Sequence, residues 1–154
     1  MAIRVRVGPW TVRPDVRRTR VAHAQLDWSG AEECSCAGCR NFSACRPALL
    51  GGSIGDLLAT LGITPPWEAE AIHLRHLASG LHAYEAAYQF VGTIESEPPR
   101  VEAGSPHYEP LEDRGSIRFH HRIGLVRQPF EGLPLVQLAV RVEIPWVIGD
   151  PEMR

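Results

Sequence analysis

Apolar and polar residues alternate along several stretches of the chain, and this pattern predicts β-strands. The run from Val136 to Trp146 is the clearest, because every second residue is apolar for six positions. Polar residues lie between them, at Gln137, Arg141 and Glu143. Further extended runs are residues 3–7, 21–28, 68–77, 88–95 and 117–123. Strict alternation is typical of an antiparallel sheet that is buried on one face.

One segment, residues 53–61, follows a helical period instead. Its apolar side chains recur at the spacing of an amphipathic helix, at Ile54, Leu57, Leu58 and Leu61. Ser53 is suited to cap the N-terminus of this helix, and Gly62 is suited to end it. A chain of 154 residues has the length of one domain. We therefore expect a single α+β domain over residues 1–154, with a mainly antiparallel sheet of five or six strands, one amphipathic helix and a short cysteine knuckle.

The cysteine knuckle is the densest set of metal-binding side chains in the chain. Its four cysteines are Cys34, Cys36, Cys39 and Cys45. The Cys36-x-x-Cys39 spacing is a standard ligand pair on a tight turn, and Cys34 is two residues away. These four residues are the candidate ligands of a zinc ion. The competing interpretations are reduced structural thiols packed beneath a turn and a disulfide or redox-active pair.

The fourth ligand is the open question of the zinc hypothesis. If the chain from Cys39 to Cys45 is helical, the six residues rise about 9 Å along the axis, which is too far for one ion. We expect a short helical piece here that Pro47 stops, so Cys45 can join only if the helix breaks before it. The alternatives are His23, His82 or a water molecule.

Two other histidines, His73 and His76, are predicted not to bind metal. They are three residues apart in a segment that is extended, and a regular strand points such residues to opposite sides. His120 and His121 straddle another predicted strand in the same way. We expect each of them to be an exposed or hydrogen-bonded histidine.

Charge and composition narrow the class of protein. The net charge is −2, but residues 1–30 hold six arginines and two aspartates, while residues 95–113 are rich in acids. A pI near 6.4 is low for a nucleic-acid-binding domain. The N-terminal residues lack the apolar run of a signal peptide, and no stretch has the roughly 18 apolar residues of a membrane span. These features predict a cytoplasmic protein with reduced thiols and no membrane partner.

Four motifs together resemble a family of small bacterial proteins without an assigned activity. They are Cys34-x-Cys36-x-x-Cys39-x-Asn41-Phe42, Leu61-Gly62-Ile63, Tyr88-x-Phe90-Val91-Gly92 and Pro145-Trp146-Val147. Their order and spacing agree over residues 20–148. The family's knuckle has three cysteines, so Cys45 is an addition in this chain. The resemblance implies a fold and a candidate site, and it implies no activity.

Three functions remain as hypotheses. The sequence contains no GxxxxGK[ST], GxGxxG or HExxH motif, so we expect an interaction module with a protein partner more than an enzyme. The acidic 95–113 segment would offer that partner a binding surface. An enzyme that uses Cys36 or Cys39 as a thiolate or as a zinc ligand is the second hypothesis. Nucleic-acid binding through the arginine-rich residues 13–20 is the third.

Overall fold

The computed structural model describes residues 2–99 and 106–154. Within these residues the chain forms seven strands, four α-helices and one 3₁₀ turn. The strands are β1 Val5–Val7, β2 Trp10–Pro14, β3 Glu70–His76, β4 His82–Ser96, β5 Glu109–Pro110, β6 Ser116–His120 and β7 Leu135–Ile144. The helices are α1 Val16–His23, α2 Gly30–Cys34, α3 Ala37–Leu49 and α4 Ser53–Leu61, and the 3₁₀ turn is Gln128–Phe130. The predicted α+β class is confirmed, with more helices and one more strand than expected.

The strand β4 organises the sheet, in which all the pairs are antiparallel. The order is β1-β2-β4-β7-β6-β5, and β3 also pairs with β4. The first half of β4 pairs with β3 and its second half with β2, while β7 runs along its other side. Alternate residues of β4 and β7 enter the main core, where they meet α3 and α4. A smaller cluster around Val91 and Phe130 covers part of the opposite face.

Residues 21–28 were expected to form a strand, and this prediction is wrong. Residues 16–23 form α1, because the Asp15 side chain caps the backbone N–H of Arg18 at 3.0 Å. The Thr19 hydroxyl then ties the helix to the sheet by accepting a hydrogen bond from the Val91 N–H at 3.0 Å. Ala22 and His23 are buried on the sheet side. The apparent alternation along residues 22–28 therefore reflects one buried helix face and the loop after it.

Helix α3 is longer than expected, because Pro47 does not end it. The helix begins directly after Cys36 and continues to Leu49 with the proline inside it. Its buried stripe includes Phe42, Cys45 and Leu49, which face the main core. The burial of this stripe offsets the backbone hydrogen bond that a proline removes. The Cys36-x-x-Cys39 segment is thus the first turn of a helix.

Several acids of the 95–113 segment are engaged within the chain. Glu95 pairs with Arg4 at 2.8 Å and with Arg13 at 3.0 Å. Asp113 accepts a hydrogen bond from the backbone N–H of Ser53 at 3.0 Å, at the start of α4. Glu102 lies outside the described residues. Gly62 ends α4 in the left-handed conformation, as predicted, but the N-cap residue is Gly52 and not Ser53.

In the described residues, every helix falls short of the length and apolarity that would let it cross a membrane.

Candidate metal centre

The junction between α2 and α3 gathers three of the four predicted ligands. The sulfur atoms of Cys34, Cys36 and Cys39 all lie within 4.8 Å of one another. Cys34 is the last residue of α2, and Ser35 has a φ of 57°, which reverses the chain between the helices. Cys36 then caps α3, and Cys39 lies in its first turn. Because one turn and one reversal suffice, the cluster is built almost entirely by local structure.

The three thiols differ in exposure and in acidity. Cys34 and Cys36 are exposed, whereas Cys39 is only 6% exposed. The Sγ atom of Cys36 accepts a hydrogen bond from the Cys39 backbone N–H at 3.4 Å, and this contact lowers the pKa of Cys36 below its ordinary value. Burial raises the pKa of Cys39, and hydrogen bonds with the other two thiols add to this effect. Of these two thiols, Cys36 is therefore the more acidic.

Cys45 is separated from the cluster. Its thiol is buried in the main core and donates to the Pro145 carbonyl at 3.5 Å. Since α3 is continuous from Cys39 to Cys45, the helical rise keeps the two sulfurs apart. His23, an alternative fourth ligand, is also outside the cluster, and its Nε2 atom bonds to the Gln89 carbonyl at 2.8 Å. Within the described residues, three of the four predicted cysteines thus lie together, and Cys45 lies outside their cluster.

The first turn of α3 is held against the sheet by its neighbours. The Cys39 thiol lies 3.8 Å from the Ala71 carbonyl of β3, and the Tyr84 hydroxyl donates to the Gly38 carbonyl at 2.8 Å. The Asn41 side chain donates to the Pro145 carbonyl at 3.1 Å and accepts from the Val147 N–H at 2.8 Å. These contacts fix the position of α3 relative to β3, β4 and the segment after β7.

A buried ion pair between Arg46 and Glu68 helps to fix α2 and α3 to each other. An Nη2 atom of Arg46 lies 2.6 Å from Glu68 Oε1, and the Glu68 side chain is fully buried. The same Nη2 atom donates to the Ser29 hydroxyl at 2.7 Å, and Ser29 caps α2. The pair therefore connects α2, α3 and the segment that leads into β3.

The expectation that His73 and His76 point to opposite sides is wrong. A register shift between His73 and Arg75 places one extra residue in β3. As a result His73 pairs with Tyr84 and His76 pairs with His82, two residues of β4 that share a face. His82, the other alternative fourth ligand, is also outside the thiol cluster. It forms a hydrogen bond to His73. The pairing of His76 with His82 follows from the short hairpin between them, whereas the bulge has no evident signal in the sequence.

Residues 51–55 are Gly-Gly-Ser-Ile-Gly, which matches the GxSxG nucleophile motif. The structure gives this motif another role. A nucleophile elbow connects a strand to a helix, but this segment connects α3 to α4. The Ser53 hydroxyl bonds to the carboxylate of Asp113. The motif is therefore part of a helix start.

In comparison with known proteins, no family model, curated protein or solved structure matches the chain. The resemblance to a family of small bacterial proteins accordingly stays a prediction based on the four motifs. What the structure itself establishes is an α+β domain with three close thiols that are able to hold a metal ion.

Proposed function

We propose that this protein is a zinc-binding interaction module whose ion is held by Cys34, Cys36 and Cys39. The observation that carries the proposal is that their sulfur atoms lie within 4.8 Å of one another. Tetrahedral zinc with Zn–S bonds of about 2.3 Å holds sulfurs roughly 3.8 Å apart. The cluster therefore closes onto zinc through movements of about an ångström. Thiolates favour zinc, copper(I) and iron–sulfur clusters over hard cations.

The proposed site is open. Within residues 2–99 and 106–154, no histidine, cysteine or carboxylate joins the three thiols as a fourth ligand. Three protein ligands and a vacant position are typical of zinc that exchanges a ligand, whereas structural zinc has four protein ligands. Of the three thiols only Cys39 belongs to the main core, so we expect the domain to fold without zinc. In the interaction role, a donor atom of a protein partner takes the fourth position, and water takes it otherwise.

Cobalt substitution tests the thiolate site directly. The reduced, metal-free protein is titrated with Co²⁺, and we expect intense sulfur-to-cobalt charge-transfer bands. These bands should disappear when added zinc displaces the cobalt ion. Cys36→Ser is expected to weaken these bands, whereas Cys45→Ser is the matched control because its buried thiol lies outside the cluster. The absence of charge-transfer bands, or bands that Cys36→Ser leaves unchanged, would refute the site. If the purified protein contains copper or iron instead of zinc, that metal is the natural occupant of the site and the zinc assignment is wrong.

The open position has its own test. Imidazole is added to the cobalt-loaded protein, and the ligand-field bands are followed. We expect them to shift as imidazole replaces water on the ion, with the charge-transfer bands retained. Bands that do not respond to imidazole would mean that the chain supplies a fourth ligand, and the interaction role would lose its support.

A second candidate function is thiolate chemistry at Cys36. It is favoured by the exposed sulfur at the N-terminus of α3 and by the N–H contact that lowers its pKa. A reactive thiolate and a zinc ligand are alternatives, since the bound ion masks the sulfur. Alkylation of Cys36 by iodoacetamide in the metal-free protein should begin at a lower pH than for an ordinary thiol, and zinc should suppress it. Alkylation that follows the ordinary cysteine profile would remove this candidate.

A further inference from the structure

A second group of metal-binding side chains lies at the end of the β3–β4 hairpin. Ligand atoms of His76, His82 and Glu152 all lie within 4.8 Å of one another. His76 and His82 are paired across the hairpin, and their rings are stacked with centroids 4.2 Å apart. Glu152 comes from the segment that follows β7. The two strands of one hairpin and a segment distant in sequence thus contribute one side chain each to a single point.

The central residue of this group, His82, is held in one orientation. Its side chain is fully buried, and the Trp146 ring packs on it with a centroid separation of 4.9 Å. Its Nδ1 atom is hydrogen-bonded to Nε2 of His73 at 2.8 Å. Its Nε2 atom lies 3.2 Å from Oε1 of Glu152. Each ring nitrogen therefore has one defined neighbour, and Nε2 is the nitrogen that faces the carboxylate.

We infer that His76, His82 and Glu152 bind a divalent transition-metal ion at a site separate from the thiols. Two imidazoles and a carboxylate form a borderline donor set, which suits zinc or iron(II). When Nε2 of His82 is a ligand, its Nδ1–H donates to His73, and metal-ligating histidines commonly have such a partner. The stacked rings of His76 and His82 are nearly parallel, so both nitrogens reach one ion only when the partly buried His76 ring rotates. Glu152 lies in an exposed terminal segment, so its side chain also moves toward the ion.

The two sites are distinct in their donor atoms but adjacent in the fold. The Cβ atom of His73 lies 3.3 Å from the position that a Cβ on Gly38 would take. Gly38 lies between Cys36 and Cys39, while His73 supports the second site. The inference is independent of the proposed thiolate site, because it uses none of the three cysteines.

The test uses the full chain with the variant C34S/C36S/C39S, which removes the thiolates. This protein is titrated with Zn²⁺ by calorimetry, and we expect one ion per chain. Adding His76→Ala or Glu152→Gln is expected to weaken binding by more than about 100-fold, beyond the 10–100-fold typical when only a supporting partner is lost. The matched control is His107→Ala, since His107 also pairs with a carboxylate, Glu109, at 2.8 Å but outside the group.

Two results would overturn the inference. One is that C34S/C36S/C39S binds no zinc while near-UV circular dichroism shows that it is folded. The other is that Glu152→Gln binds zinc as tightly as its parent; Glu152 is exposed, so this variant is not expected to unfold. The outcomes are separable from those of the thiolate site, because loss of sulfur-to-cobalt charge-transfer bands reports on the cysteines alone.

Discussion

The two clusters of metal-binding side chains are built in opposite ways. Cys34, Cys36 and Cys39 lie within six residues and meet through one helix start and one chain reversal. His76, His82 and Glu152 come from a hairpin and a distant terminal segment, and they meet only because the sheet and the segment after β7 are in place. The first cluster is a product of local conformation, and the second is a product of the whole fold.

The burial of each cluster follows from the way it is assembled. Short helices at the surface leave Cys34 and Cys36 exposed, so the thiol cluster is open to solvent and to other molecules. Packing of β3, β4 and Trp146 encloses His82 completely. We therefore expect the thiol cluster to be sensitive to the α2–α3 junction and the histidine cluster to be sensitive to the sheet.

The largest effect is expected from Glu68→Gln, which leaves Arg46 without its charged partner. Removing one member of a buried ion pair costs about 3–5 kcal/mol of unfolding free energy, and the pair is buried at Glu68. Urea denaturation measures this loss. Glu32→Gln is the control on the same arginine: Glu32 is half exposed and lies 3.6 Å from Arg46, so we expect about 0–1 kcal/mol. Equal effects of the two variants would contradict the assigned role of Glu68.

The second-largest effect is expected from Cys36→Ser, which should weaken metal binding at one cluster and not at the other. Cys36→Ser should weaken metal binding at the thiols by more than about 100-fold, because a direct ligand is lost. The same change should leave zinc binding at His76, His82 and Glu152 within about tenfold, that is ~1.4 kcal/mol. Competition with a chromogenic chelator measures both affinities. Parallel weakening of the two sites would mean that they form a single centre.

A smaller effect is expected from His73→Phe, which keeps an aromatic ring but removes the hydrogen bond to His82. Loss of such a supporting partner typically lowers metal affinity by about 10–100-fold. The change should affect the histidine cluster and not the thiols. Calorimetry on C34S/C36S/C39S with and without His73→Phe makes the comparison. An unchanged affinity would show that His73 does not orient His82.

Deletion of Leu74 should have a still smaller effect. Leu74 is exposed and lies within the register shift. Without it, His73 and His76 become two residues apart, so a regular strand places both on the same face. We expect zinc affinity at the histidine cluster to change by less than about tenfold. Loss of binding would mean that the bulge itself, rather than the shared face, positions His76.

The smallest effect concerns His23, a buried histidine outside both clusters. Burial lowers its pKa below the ordinary value of 6.5, the Gln89 carbonyl opposes this shift, and Arg127 adds to it. As the pH falls, His23 therefore binds a proton in the unfolded chain before it does so in the folded one. Its contribution to the free energy of unfolding is fully present above pH 6.5 and is lost as the pH falls through the pKa of the folded state. Urea midpoints measured against pH should decline less steeply in His23→Gln. Identical profiles would contradict this.

The elements whose burial repeats with a fixed period were predictable from the order of residues alone. Every second residue of β7 and the i, i+3, i+4, i+7 stripe of α4 are patterns that only one regular structure can bury on one face. The close thiols belong to the same class, because residues 34–39 span a single reversal and helix turn. For these features, local geometry leaves few alternatives.

The remaining features depend on packing between segments that are far apart in the chain. Residues 16–23 became a helix because the Asp15 cap and contacts to β4 outweighed an apparent alternation. Pro47 stayed inside α3 because the helix buries a long apolar stripe. The bulge in β3 and the approach of Glu152 brought together residues that no spacing in the chain relates. Such features depend on contacts between distant segments, and those contacts exist only once the sheet has formed.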